Sequence, residues 1–149
     1  MKKALLPTLL ACALLAGCAH LYPRIERVSK QQDCESGGNC VIAVDVACTR
    51  FRDCSLSVDY DLILVKGRGK PADIVWRLNG DSGARFAANG IALDSSEFDC
   101  HAKPETREFV CTDKHSDFGV FKYRVNVTLP ESTFGPRGVP SLDPWIVNN

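Results

Sequence analysis

Thiols dominate the chemistry open to this chain. Eight cysteines lie in 149 residues, beside three histidines and a single methionine. A thiol can take up lipid, close a disulfide or ligate a metal, and spacing separates these uses. No C-x-x-C is present, so zinc and dithiol redox sites lack their usual frame. Cys12 lies inside an apolar run near the start and Cys18 directly after it. The other six, Cys34, Cys40, Cys48, Cys54, Cys100 and Cys111, fall into three close pairs. Cys34 and Cys40 flank Glu35-Ser36-Gly37-Gly38-Asn39, and Cys48 and Cys54 flank Thr49-Arg50-Phe51-Arg52-Asp53. Cys100 and Cys111 close the echoing triplets Phe98-Asp99-Cys100 and Phe109-Val110-Cys111. Six thiols allow fifteen connectivities. Because each close pair resembles the neck of a turn, the expected bonds are 34 with 40, 48 with 54 and 100 with 111, each contributing about 2 to 3 kcal/mol.

Other reactive side chains form no comparable pattern. Asp113, His115 and Asp117 alternate, so on a strand they would offer two carboxylates and an imidazole to a cation; in a solvated polar turn they would offer nothing. Asp59 and Asp61 have the same spacing, one common on solvated strands, and no glycosidase context points to acid/base work. His20 falls in a charged stretch, His101 follows a disulfide cysteine, and no G-x-S-x-G elbow is present. Gly67-Arg68-Gly69-Lys70 lacks the second half of a phosphate-cradling loop. The expectation is a chain with no catalytic residues, no metal ligands and no cofactor.

Met1-Lys2-Lys3 followed by an apolar run of 13 residues from Ala4 to Ala16 describes a secretory signal, too short for the roughly 18 to 20 residues that span a bilayer. Leu15-Ala16-Gly17-Cys18 resembles a bacterial lipobox, the site that signal peptidase II leaves to be acylated. The resemblance covers about the first 20 residues and implies a mature chain that starts at Cys18 and hangs from lipid. Acyl chains at about 0.8 kcal/mol per buried methylene hold such a protein at a membrane surface. In Gram-negative lipoproteins an Asp after the acylated Cys favours the inner membrane. Ala19 stands there, which implies the outer membrane, periplasmic face.

Loss of residues 1 to 17 removes two lysines and no acid, which leaves 16 basic against 18 acidic residues. The charges are interspersed, so no nucleic-acid footprint stands out. The remaining 132 residues suit one domain. Residues 18–33, with Tyr22-Pro23 and no apolar period, read as a lipidated tether. Period two begins at Val41: Ile42, Val44, Val46 and Cys48 share one parity, and Cys54, Leu56 and Val58 resume it after a short loop, as in a hairpin. Leu62 to Val65 is continuously apolar. Ile74, Trp76 and Leu78 alternate with Val75 and Arg77, and Phe121, Tyr123, Val125, Val127 and Leu129 alternate with polar residues. Asn89-Gly90 interrupts another strand as either a tight turn or a bulge. No capped 3.6-residue repeat appears. Residues 34–130 are therefore expected to form an all-β, antiparallel β-sandwich of about seven short strands, with a small β-barrel as the alternative. Residues 131–149, rich in proline and too broken for a strand, are expected to pack on the domain through Trp145-Ile146-Val147.

Ile74-Val75-Trp76-Arg77-Leu78 and Gly119-Val120-Phe121-Lys122-Tyr123-Arg124-Val125 resemble the I-x-W and G-x-Y-x-Y strands of cupredoxin-like sandwiches, whose fold is immunoglobulin-like. Blue-copper members place Cys, His and Met after the second strand; here none follows Val127, so the resemblance extends to fold and not to copper. The lipobox, the I-x-W strand, Phe86-Ala87-Ala88-Asn89-Gly90-Ile91 and the segment from Phe98 to Asp113 are together similar to small exported bacterial proteins that have no assigned activity. Ser82-Gly83-Ala84-Arg85-Phe86 is similar to the S-G-A-R-Y loop of membrane-bound C-type lysozyme inhibitors. In that family a Ser of this loop and a Lys from a later motif enter the lysozyme cleft. Ser82 takes the Ser position, beside Arg85, whereas Ile91-Ala92-Leu93-Asp94-Ser95 replaces the later segment. The expected function is a lipid-anchored envelope binding or structural module without catalytic activity. Its partners would be the membrane, through lipid, and an envelope protein or cell-wall ligand. Inhibition of a lysozyme-like lytic enzyme through Ser82 and Arg85 is the alternative.

Overall fold

The computed structural model describes residues 30–49, 54–67, 69–130 and 141–149. The signal, Cys18 and most of the expected tether lie outside the described residues. Those described form ten strands and no helix: β1 (Gln31–Glu35), β2 (Asn39–Cys48), β3 (Cys54–Val58), β4 (Leu62–Lys66), β5 (Ala72–Leu78), β6 (Arg85–Leu93), β7 (Phe98–Ala102), β8 (Glu108–Asp113), β9 (Gly119–Thr128) and β10 (Trp145–Asn148). They make two five-stranded sheets, ordered β1-β4-β10-β9-β6 (sheet A) and β3-β2-β5-β8-β7 (sheet B). The sheets pack face to face as a sandwich and do not close into a barrel.

The period-two positions build the interior. Ile42 and Val44 of β2, Ile74 and Trp76 of β5, Ile63 and Val65 of β4, Tyr123 and Val125 of β9, and Ile146 of β10 are all 1% exposed or less. Removing each of the larger side chains from water favours folding by about 1.5 to 3 kcal/mol. Trp76 of sheet B meets Tyr123 of sheet A edge to face, with ring centroids 5.2 Å apart. Phe98 and Phe121 form a second such pair across the sheets at 5.0 Å. In β2, β5 and β9 the inward residues alternate with mostly polar or small outward ones, the pattern that made these strands visible in the sequence. In β4 and β10 the outward Leu62, Leu64, Trp145 and Val147 are apolar too.

Three departures from expectation have physical reasons. The sheets are mixed, not purely antiparallel: β1 and β10 both run parallel to β4, and β2 runs parallel to β5. Ile63 and Val65 turn into the core, while Leu62 and Leu64 lie on the other face beside Trp145 and Val147, so the unbroken Leu62-Ile63-Leu64-Val65 has apolar neighbours on both sides. Pairing begins at Gln31, inside the stretch expected to be tether, because β1 takes its backbone partners from Leu62 to Lys66 and needs no apolar period of its own. The tail is no appendage. Trp145–Asn148 pairs with β4 on one side and β9 on the other and is the central strand of sheet A. Asn89-Gly90 is a bulge: β6 and β9 are in register at Phe86↔Val127 and again at Ile91↔Val125, with the extra residues on β6. Asn126 donates its side-chain amide to Asn89 O at 2.8 Å and bridges the gap.

The disulfides join the pairs that the turn-neck spacing selects. Cys48–Cys54 and Cys100–Cys111 link partners in register on β2/β3 and β7/β8. Cys34–Cys40 does more, because it ties β1 of sheet A to β2 of sheet B.

Candidate functional site

Among the described residues, polar side chains gather in a closed cluster at one end of the sandwich and in an open cleft beside the Ser82 loop.

The cluster contains every buried polar or charged residue among those described: Glu97, Asp113, His115 and Asn148. β8 ends at Asp113, and the chain then turns through His115 in a left-handed conformation with φ of 48°. The alternating Asp113, His115 and Asp117 therefore do not share a strand face. Nor is this a solvated turn, since Asp113 and His115 are 0% and 1% exposed. Asp113 Oδ1 accepts from the His115 backbone N–H at 2.9 Å and from Asn148 Nδ2 at 3.1 Å. The second bond crosses from sheet B to sheet A. Burial pushes the Asp113 carboxyl up, and the His115 N–H and Asn148 amide offset only part of this. Glu97, in the β6–β7 connection, holds the far side of the turn. Its carboxylate accepts from the Ser116 and Asp117 backbone N–H groups and, at 2.7 Å, from the Ser116 hydroxyl. Burial pushes Glu97 up as well, but those donors and Lys114 outweigh it and hold the carboxyl below its ordinary value. Among the described residues, no three His, Cys, Asp or Glu side chains converge to hold a metal ion. Both His115 ring nitrogens, Asp113 Oδ2 and Asn148 Oδ1 are buried without a protein partner. Sealed from solvent and wired to the backbone, this arrangement is a structural clasp. Neither Glu97 nor Asn148 is marked in the sequence: each sits alone in its segment, and only folding gives it partners.

The Ser82 loop connects β5 to β6. Gly80 and Gly83 both have positive φ, the conformation that favours glycine. The Ser82 hydroxyl accepts from the Ala84 N–H at 3.4 Å, a local turn bond. Arg107, from the β7–β8 hairpin, donates to Gly80 O, and at 3.3 Å to Asn79 O. Loop and hairpin thereby become the two walls of a cleft of about 590 Å³. Arg85 and Phe86 line it on one side and Lys103 to Arg107 on the other. Lys103 is occupied by Glu108, which also binds Arg77, and these two cations hold the Glu108 carboxyl below its usual range. Arg85 is exposed and makes no ion pair with the described residues.

The remaining candidates are dispersed. Asp59 accepts from the Ala43 backbone N–H at 3.0 Å and serves as an intersegment brace. His101 is exposed on β7, and His20 lies outside the described residues. No family model matches the chain and no curated protein matches it. No helix among the described residues is long and apolar enough to cross a membrane.

Proposed function

We propose that the chain is a lipid-anchored, non-catalytic module of the bacterial envelope, acylated on Cys18 and held at the periplasmic face of the outer membrane, where it presents a rigid sandwich to an envelope protein or wall ligand. One observation carries the reading: Leu15-Ala16-Gly17-Cys18 directly behind a basic start and a 13-residue apolar run. The fold supports it, since three disulfides suit an oxidising compartment. Among the described residues the cysteines are all in disulfides. Metabolic labelling with radioactive palmitate tests the anchor. The wild-type chain should take up label and sediment with outer membranes, and Cys18→Ala should lose the label and accumulate unprocessed. An unlabelled wild-type chain would sink the reading.

The cleft favours a second reading, inhibition of a lytic muramidase. Its support is the Ser82 loop, fixed by Arg107 beside the exposed Arg85, which has no ion-pair partner among the described residues. Inhibition should then be stoichiometric and be lost in Arg85→Ala. Undiminished muramidase turnover at a tenfold molar excess of the protein would dismiss it.

A further inference from the structure

The two outer faces of the sandwich differ in chemistry. On sheet B the outward side chains of β3, β2, β5, β8 and β7 mix serines and charges, such as Ser55, Ser57, Asp45, Asp73 and Arg77, with alanines and one valine row, Val41-Val75-Val110, of which Val41 is 44% exposed. On sheet A the registers Leu62↔Trp145↔Lys122 and Leu64↔Val147↔Val120 place five apolar side chains in one contiguous block over three neighbouring strands. All ten described strands belong to the two sheets, so none of them lies over that block. Leu62 is buried by its neighbours; Leu64, Val120, Trp145 and Val147 remain partly exposed. Charges border it: Lys66 pairs with Asp33 and Lys122 with Asp143, and Glu35 and Arg124 are exposed on the same side of their strands. Lys122 Nζ also stands 5.7 Å from the centre of the Trp145 ring. A Trp with a Lys over it at the border of an apolar patch is the side-chain chemistry of a membrane–water interface.

The chain that carries Cys18 joins the fold at the edge of the same sheet. Gln31, the first residue of β1, is in register with Leu62, so the chain from Cys18 arrives at the Leu62-Trp145 row. Thirteen steps separate Cys18 from Gln31, a reach of at most about 45 Å. We propose that the outer face of sheet A is a membrane-docking surface: Leu64, Val120, Trp145 and Val147 rest on the phospholipid layer that holds the anchor, and sheet B faces away from it. This rests on the lipoprotein reading and adds an orientation to it.

The two tryptophans make the test direct, because Trp76 is fully buried in the core and only Trp145 can meet lipid. The full-length acylated protein is reconstituted into phosphatidylethanolamine–phosphatidylglycerol vesicles with and without brominated acyl chains, and flotation and tryptophan emission are measured. Bromine should quench the wild-type emission. That quenching should vanish in Trp145→Phe and fall in Leu64→Glu while both variants still float and keep the near-ultraviolet dichroism of the Trp76–Tyr123 pair. A protein that floats with Trp145 unquenched overturns the docking face and leaves the anchor standing. The same result with a cross-linkable dimer assigns the face to a second copy instead. A wild-type chain that does not float overturns the anchored reading and the docking face with it.

Discussion

Asp113 and Glu97 stand on opposite sides of one turn and respond to protons in opposite senses. Glu97 is held below its ordinary value in the fold, so its contribution is present above the unfolded carboxylate range and is lost as pH falls through the lower folded value. Asp113 is raised. Its term is fully present below the unfolded value and is lost as pH rises through the folded one. Glu97→Gln is therefore expected to cost about 1 to 3 kcal/mol at pH 7, the range for breaking charge-assisted hydrogen bonds, and to flatten the fall in stability below pH 5. Asp113→Asn keeps the Oδ1 acceptor for His115 and Asn148 and removes a buried charge, so its urea midpoint at pH 7 should equal or exceed that of the parent. Urea titrations of both variants from pH 3.5 to 7.5 check the pair. A Glu97→Gln profile parallel to wild type would refute the assignment. None of this was legible in the residues themselves, because the same alternation of Asp, His and Asp describes a metal face, a wet turn or a buried clasp until the surroundings are known.

At the scale of elements, alternation was a sufficient guide wherever one face of a strand is buried and the other wet, as in β2, β5 and β9. It was silent where that asymmetry is missing. β1 is too polar to announce itself, and β10 follows a proline-rich stretch. The β6 bulge had two readings from Asn89-Gly90, and packing selects between them. A Cβ on Gly90 would lie 2.7 Å from Phe109 Cδ2 and 2.8 Å from Phe86 Cβ, where these rings form an edge-to-face pair at 5.6 Å. The glycine admits the aromatic pair; it does not turn a hairpin. Gly90→Ala should lower stability by about 1 to 3 kcal/mol through overpacking, whereas Gly69→Ala, with open space around it, should lose only the smaller amount set by its positive φ. Thermal unfolding followed by near-ultraviolet dichroism separates the two, and equal losses would show that crowding at Phe109 is not the cause.

Across the whole molecule, the last residues complete the first sheet. β10 joins the parallel β1-β4 pair to the β9-β6 pair, so without it sheet A falls into two halves. A chain truncated before Trp145 loses the Ile146 core contact and the Asn148 bridge to Asp113 together. It should populate no native state, visible as lost dispersion in amide proton spectra and rapid proteolysis. A well-dispersed spectrum would show that β10 is dispensable.

The residue types and their order determined the all-β class, the inward residues of the long strands, the disulfide pairs and the apolar run shortly before Cys18. Each is local: a period of two, a turn neck of a few residues, or a run behind two lysines. The parallel pairings, the central place of β10, the burial of Asp113 and His115 and the contrast between the outer faces were decided only by tertiary structure. These join residues far apart in the chain, such as Gln31 with Leu62 and Asp113 with Asn148. A backbone hydrogen bond carries no residue code, and a polar side chain is buried or wet according to what the rest of the chain places over it.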